Sequence, residues 1–310
     1  MGRSSRDGSS TSPTTPSPGS PPSGRGRPRS ASPGSPLLGR RDLIELAHRH
    51  GIRPRRSLGQ NFLADPNVAR AIAADAGAVP GERFLEVGAG LGSLTLALAS
   101  AGAEVLAVET DQRLLLALEE AVAQVPVVRI AHVDAMRADW PALLGDEPWR
   151  MASNLPYNVA VPVILDLLEQ APQVDPFLVM VQREVGERLA AGPGEAAYGA
   201  VSLKVAYRCD ASVVRRVGPS VFWPEPKVES VVIRLSRHAP PVQAPPEVLF
   251  RLVDEGFAQR RKTMAAALTR LGLDREAARA AMERAGLDAR ARAETLGLEE
   301  FARLAESVGG

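Results

Sequence analysis

Five short apolar runs, alternating with helical stretches, limit the folds open to this chain. Phe84–Val87, Val105–Val108, Val127–Ala131, Met151–Ser153 and Phe177–Val181 have the composition of strands buried on both faces. Leu94–Leu98, Leu114–Val122 and Val163–Leu168 carry helical apolar patterns between them. Strands that alternate with helices pair in parallel, and the helices cover both faces of the sheet. Cys209–Val214 and Ser230–Leu235 read as two closing strands. Upstream, Asp42–His50 reads as a short amphipathic helix ended by Gly51. Asp65-Pro66 is a helix start, with Asp65 as N-cap and Pro66 at the first helical position. Beyond the Pro-rich linker Ala239–Pro246 the pattern is wholly helical, with breaks at Gly272, Gly286 and Gly297. The expectation is an α/β, Rossmann-like domain over residues 38–239 and a small all-helical domain over 247–310.

Composition narrows the chemistry. The single cysteine, Cys209, excludes an internal disulfide, and with only four scattered histidines it excludes a Cys/His zinc module. We therefore expect no metal and a reducing, cytoplasmic setting. No apolar run reaches the roughly 18 residues that a membrane-crossing helix needs. Of the first 37 residues, 28 are Ser, Thr, Pro or Gly. Such a segment buries too little apolar surface to offset its ordering entropy, so it reads as a disordered tail. Its prolines oppose the amphipathic helix of a transit peptide. The tail holds five arginines and one aspartate, so the net charge of +1 leaves −3 on the rest of the chain. Global charge does not announce a nucleic-acid partner; any such contact has to come from a local patch.

Four motifs fall after the ends of successive strands. Glu86-Val87-Gly88-Ala89-Gly90-Leu91-Gly92 joins a strand to a helix, and its glycines let a ligand approach backbone N–H groups. The spacing is G-x-G-x-G, not the dinucleotide G-x-G-x-x-G, which disfavours a nicotinamide dehydrogenase. Glu109 ends the next strand, where a carboxylate can accept hydrogen bonds from two ribose hydroxyls. Asp134 follows the third strand, where it is either an acceptor for an adenine amino group or a helix N-cap. Asn154-Leu155-Pro156-Tyr157 follows the fourth. Its amide oxygen and a carbonyl can accept from an exocyclic amine, and Tyr157 offers a flat face to a base. A fifth segment, Phe222-Trp223-Pro224-Glu225-Pro226-Lys227-Val228, lies between the last two strands. There Phe222 is expected to stack on the other face of the base, and Lys227 to meet phosphate.

Together these segments resemble the bacterial small-subunit (16S) rRNA adenine N6,N6-dimethyltransferases. The resemblance runs from about Leu58 to Leu268. It also rests on Leu58-Gly59-Gln60-Asn61-Phe62-Leu63, Gln182-Arg183-Glu184-Val185, Ala197-Tyr198-Gly199 and Phe257-Ala258-Gln259-Arg260-Arg261-Lys262-Thr263. It implies a Rossmann-like class I methyltransferase domain with S-adenosylmethionine as methyl donor. It further implies donor contacts from Asn61, Leu63, Gly88, Gly90, Glu109, Asp134 and Asn154, with Asn154, Tyr157 and Phe222 as the catalytic set. The implied substrate is 16S rRNA within the immature 30S subunit, dimethylated at two adjacent adenosines near its 3′ end by a monomeric enzyme. A 23S rRNA methyltransferase of the antibiotic-resistance type shares the Asn154–Tyr157 and Phe222–Ser230 features. Tyr198-Gly199, Gln259–Thr263 and the appended helices distinguish this chain from it. A non-catalytic nucleic-acid-binding relative is opposed by the intact Gly loop, Glu109 and Asn154. The long tail and the bulky or acidic Trp223 and Glu225 depart from the family pattern.

Overall fold

A computed structural model of the chain describes residues 37–55 and 59–309. The reading of residues 1–37 as a disordered tail lies, Leu37 apart, outside the described residues, as does Leu58. The described elements are α1 (Arg40–Arg49), β1 (Phe62–Leu63), α2 (Pro66–Asp75), β2 (Arg83–Val87), α3 (Ser93–Ser100), β3 (Glu104–Glu109), α4 (Gln112–Val122), β4 (Val128–His132), α5 (Trp140–Leu144), β5 (Trp149–Asn154), α6 (Ala160–Gln170), β6 (Val174–Gln182), α7 (Arg183–Ala190), α8 (Ala200–Ala206), β7 (Cys209–Val217), β8 (Phe222–Trp223) and β9 (Ser230–Arg237). Four further helices follow: α9 (Pro246–Ala258), α10 (Met264–Arg270), α11 (Arg275–Arg284) and α12 (Leu298–Gly309).

Seven strands form one sheet in the order β4-β3-β2-β5-β6-β9-β7. β2 to β6 pair in parallel, and β9 runs antiparallel between β6 and β7. The alternation of side chains along each strand splits the core in two. Leu85, Met151 and Phe177 face the layer that holds Trp140 and Leu167. Phe84, Ala152 and Leu178 face the layer that holds Ile72 and Leu98. Both layers are apolar because both sheet faces carry helices, as the unbroken hydrophobic runs predict.

The chain passes from β2 outward through β3 and β4, then returns to the other side of β2 as β5. That reversal opens a crevice at the carboxyl ends of β2 and β5, where doubly wound sheets hold their ligands. The Gly loop follows β2, and Asn154-Leu155-Pro156-Tyr157 follows β5. Topology alone therefore brings together two motifs more than sixty residues apart.

The helix starts follow local chemistry. Asp65 Oδ1 accepts from the backbone N–H of Asn67 at 2.8 Å, which caps α2 as read from Asp65-Pro66. The C-terminal helices bury Leu249, Met264, Leu268 and Phe301. Their core also takes in Tyr198, Leu203 and Tyr207, and the Tyr198 hydroxyl donates to the Leu296 carbonyl at 2.8 Å. Among the described residues, no helix is long and apolar enough to cross a membrane.

One expectation is overturned. The segment that begins at Phe222 is not simply a loop: Phe222 and Trp223 form β8, which pairs antiparallel with β1. Neighbouring residues of a strand point to opposite faces. Phe222, opposite Leu63, turns into the core and is fully buried. Trp223 turns the other way and stacks on Phe62, ring centroids 6.2 Å apart. Phe222 therefore presents no free face to a base.

Candidate active site

A cavity of about 170 Å³ lies at the crevice between β2 and β5. Asn61, Leu63, Gly88, Gly90, Glu109, Asn154 and Tyr157, named from sequence, all border it. Asp134 and Phe222 do not.

The Gly loop forms one wall. Gly88 and Gly90 have φ of 75° and 60°, in the left-handed region that favours glycine. A Cβ at Gly88 would sit 3.0 Å from Pro156 Cδ, and one at Gly90 would sit 3.0 Å from Phe62 Cδ1. Any side chain here would push the β2 loop away from the β5 loop, or fill the space a ligand needs.

Glu109 is the hub of the next wall. Its Oε2 accepts from Gly90 N–H at 2.9 Å, and its Oε1 accepts from Thr110 and Asp111 N–H, each at 2.9 Å. Burial pushes its carboxyl above the ordinary value, and the three N–H donors pull it back. A buried carboxylate anchored from behind suits a pair of ribose hydroxyls. Glu109→Ala should weaken methyl-donor binding by roughly 1.5–3 kcal/mol, the scale of a hydrogen bond to a charged group. Calorimetry with S-adenosylhomocysteine checks this, and unchanged affinity would remove Glu109 from the site.

Asn154 ends β5. Its Nδ2 donates to the Asn61 carbonyl at 3.0 Å, which fixes the amide and leaves Oδ1 without a protein partner among the described residues. Leu155 N–H donates to the Met180 carbonyl at 3.1 Å. Tyr157 is half-buried; its hydroxyl shares a 2.9 Å hydrogen bond with Ser230 Oγ, and burial pushes the phenol above its ordinary value. The ring is thus held by its far end at β9.

Asp134 caps the short turn Ala135–Arg137: its Oδ1 accepts from Met136 N–H at 3.0 Å, while Oδ2 has only a 4.0 Å ion pair with Arg137. Several bordering groups are not among those singled out from sequence. Gln60 Nε2 donates to Asp111 Oδ2 at 3.1 Å, tying the β1 segment to the β3 loop. Arg113 lies on Asp111 and holds that carboxyl below its ordinary range. Glu86 and Ser93 border the cavity and are almost fully buried. Glu86 lies in the Glu86–Gly92 motif and Gln60 in the Leu58–Leu63 segment, each quoted from sequence without a role of its own; nothing in the pattern points to Ser93.

Among the described residues, no group of three or more His, Cys, Asp or Glu is placed to hold a metal ion. The wall fits an adenosyl sulfonium ligand: it has a ribose-type carboxylate, a cradle that a Cβ would fill, and one orphaned hydroxyl at Ser93.

Fold and site define a class I methyltransferase. The solved structure of the 23S rRNA methyltransferase ErmE matches 81% of this chain and all of its own, with a TM-score of 0.61 and 26% identity. A dimethyladenosine transferase from Plasmodium falciparum matches 78% of this chain and 95% of its own at a TM-score of 0.65 and 21% identity, which supports the fold. The family model for ribosomal RNA adenine dimethylase matches residues 51–309, and this chain belongs to that family. It is an enzyme that uses S-adenosylmethionine as methyl donor. Proteins named ribosomal RNA small subunit methyltransferase A are similar over most of their length. The one from Thermobifida fusca is 48% identical, over 87% of this chain and 96% of its own. Those from Streptomyces coelicolor and Moorella thermoacetica are 45% and 40% identical, each over 96% of its own length and over 87% and 86% of this chain.

Proposed function

We propose that the chain dimethylates N6 of two adjacent adenosines in the 3′-terminal hairpin of 16S rRNA, within the immature 30S subunit. The observation that carries this reading is the Asn154 amide, locked by its bond to Asn61 with Oδ1 free at the cavity wall beside Tyr157. Relatives at 40–48% identity bear the small-subunit name, whereas the 23S enzyme is only 26% identical. In this reading residues 38–239 are the methyltransferase domain, and 247–310 are a helical domain that borrows Tyr198, Leu203 and Tyr207 for its core. In this reading the enzyme acts as a monomer. We assign the enzyme to the cytoplasm, where ribosomal subunits are assembled.

The bound donor supplies an electrophilic methyl group. Glu109 takes the ribose hydroxyls, the Gly88–Gly90 loop carries the chain of the donor, and Asn61 and Leu63 close it from the β1 side. Asp134 offers Oδ2, free of backbone donors, to the adenine amino group. The substrate adenine is flipped from its stack and lies on the Tyr157 ring. Adenine N6 is a poor nucleophile because its lone pair is delocalised into the ring. Asn154 Oδ1 and the Leu155 carbonyl accept the two N6 protons and draw the amine toward tetrahedral geometry. Its lone pair is then directed at the methyl carbon. Orientation is the protein's main contribution. Asn, unlike Asp, orients the amine without leaving an unpaired charge once the amine is methylated.

RNA docking needs a cationic patch. Arg260, Arg261 and Lys262 are exposed in the turn between α9 and α10, and among the described residues only the Arg260 side chain is tied back, to the Ala196 carbonyl and Glu294. Reversing these three charges should raise half-saturation for the RNA and make its salt dependence shallower. The slope should fall by up to about 0.9 log units for each phosphate the variant no longer neutralises. Donor affinity should hold. A salt series with wild type and variant tests this, and an unchanged slope would place docking elsewhere. For the reaction itself, purified protein should methylate immature 30S particles lacking the mark and ignore naked 23S RNA. Mass spectrometry showing the mark on 23S RNA alone would shift the assignment to the resistance-type enzyme.

A further inference from the structure

Tyr157 is pinned at both ends of its side chain. At the backbone end it follows Pro156, and Gly59 passes over it: a Cβ at Gly59 would sit 3.0 Å from the Tyr157 nitrogen. At the far end the hydroxyl shares a 2.9 Å hydrogen bond with Ser230 Oγ. Ser230 opens β9, ahead of Val231, Val232 and Ile233, and is fully buried. A hydroxyl buried in such a strand is tolerated only if it is bonded. Among the described residues the Tyr157 hydroxyl is its one side-chain partner. The anchor is itself held on every side. Ser230 pairs with Gln182 in β6 and with Val217 in β7. The residue before it is fixed too: the Glu229 carbonyl accepts from Arg183 N–H at 3.0 Å, and Arg183 Nη1 donates to Glu229 Oε2 at 2.9 Å. Gln182-Arg183, a segment that does not border the cavity, therefore backs the anchor of a residue that does.

We propose that Ser230 is a positioning residue for the second of the two methyl transfers, fixing through the Tyr157 hydroxyl the ring on which the adenine lies. The inference rests on the reading in which the flipped base lies on Tyr157. In each transfer the N6 lone pair forms a bond to the methyl carbon as the S–C bond breaks, with S-adenosylhomocysteine as the leaving group. The methylated amine then gives one proton to water. N6 enters the first round with two protons, one for Asn154 Oδ1 and one for the Leu155 carbonyl. It enters the second round with one. One acceptor then has nothing to hold, and the methyl group already present has to point away from the incoming carbon. The two acceptors no longer fix the base between them, so more of its orientation comes from the ring beneath it. A tyrosine held only at its backbone swings about two side-chain torsions. The bond to Ser230 removes that freedom, and methyl transfer depends steeply on alignment.

The test follows both steps on immature 30S particles lacking the mark, at saturating donor, by mass spectrometry of the nucleosides over time. Ser230→Ala should slow the first transfer about two- to tenfold, the rate equivalent of one neutral hydrogen bond. It should slow the second further still, so that N6-monomethyladenosine builds up. Calorimetry should show unchanged affinity for S-adenosylhomocysteine. Tyr157→Phe breaks the same bond from the other side and should give the same build-up, and the double variant should be no slower than either single one. A serine with a merely structural role would lower the melting temperature, slow both transfers alike, and add its loss to that of Tyr157→Phe. Additive losses, or a ratio of monomethyl to dimethyl product equal to that of wild type, would overturn the role of Ser230 while leaving the base on Tyr157. A wild-type rate for Tyr157→Ala would overturn the placement of the base and this inference with it.

Discussion

Asn154→Ala should turn over adenosine about 10²–10³ times more slowly than wild type, the usual loss when one positioned acceptor is removed from an active site. The alanine takes away Oδ1 and with it one of the two acceptors proposed to hold the N6 protons. It also frees the Asn61 carbonyl, whose partner at 3.0 Å is Asn154 Nδ2. A neutral hydrogen bond contributes about 0.5–1.5 kcal/mol, too little to unfold a domain of this size. Donor binding should therefore weaken slightly and the melting temperature should fall by only a few degrees. Single-turnover kinetics on immature 30S particles separates the chemical step from RNA docking. Asn154→Asp should not rescue the rate, since an ionised carboxylate would face the Asn61 carbonyl where the amide now donates. A single-turnover rate within threefold of wild type would show that the amine is oriented by other groups.

The parts of this enzyme legible in the sequence are those whose signal extends over several residues. β2 to β6 are legible to within one to three residues at most ends; β2, β3, β5 and β6 have apolar cores buried on both faces, whereas β4, read from Val127–Ala131 as a doubly buried strand, lies at the sheet edge and has no buried residue. The strands run further, into Arg83, Glu104, Trp149 and Val174, where ladder bonds continue beyond the hydrophobic run. The Gly loop and Asn154–Tyr157 are legible because each is a run of unusual residues directly after a strand. The β1–β8 ribbon is not, since two residues have no periodicity. Its existence depends on pairing Phe62-Leu63 with a segment about 160 residues away. Without that pairing, sequence reasoning misplaces Phe222: a one-residue step in a strand exchanges the core face for the other, so Trp223 and not Phe222 meets Phe62. Ser93 is silent for a different reason. A serine at the start of a helix is ordinary, and only the three-dimensional surroundings show that its hydroxyl has no partner.

Replacing Glu86 by glutamine should make the ligand-free protein more stable at neutral and alkaline pH, and by more as pH rises. Burial pushes the Glu86 carboxyl from its ordinary 4.5 up to about 8, with Glu109 adding repulsion and Thr95 opposing. Below about 4.5 the group is protonated in both folded and unfolded chains, and the stability it contributes is fully present. Between 4.5 and about 8 the unfolded chain releases the proton while the native state keeps it, so stability falls with rising pH. Across that window the loss is on the order of 3–5 kcal/mol for a fully buried group. Glutamine still accepts from Thr95 and does not titrate, so the variant should lack this slope. Glu109, also raised, leaves a residual slope common to both proteins, which makes the difference between the two the quantity to read. Urea midpoints at pH 4, 6.5 and 9 would measure it, and parallel profiles would show that the Glu86 carboxyl is not raised in the native protein.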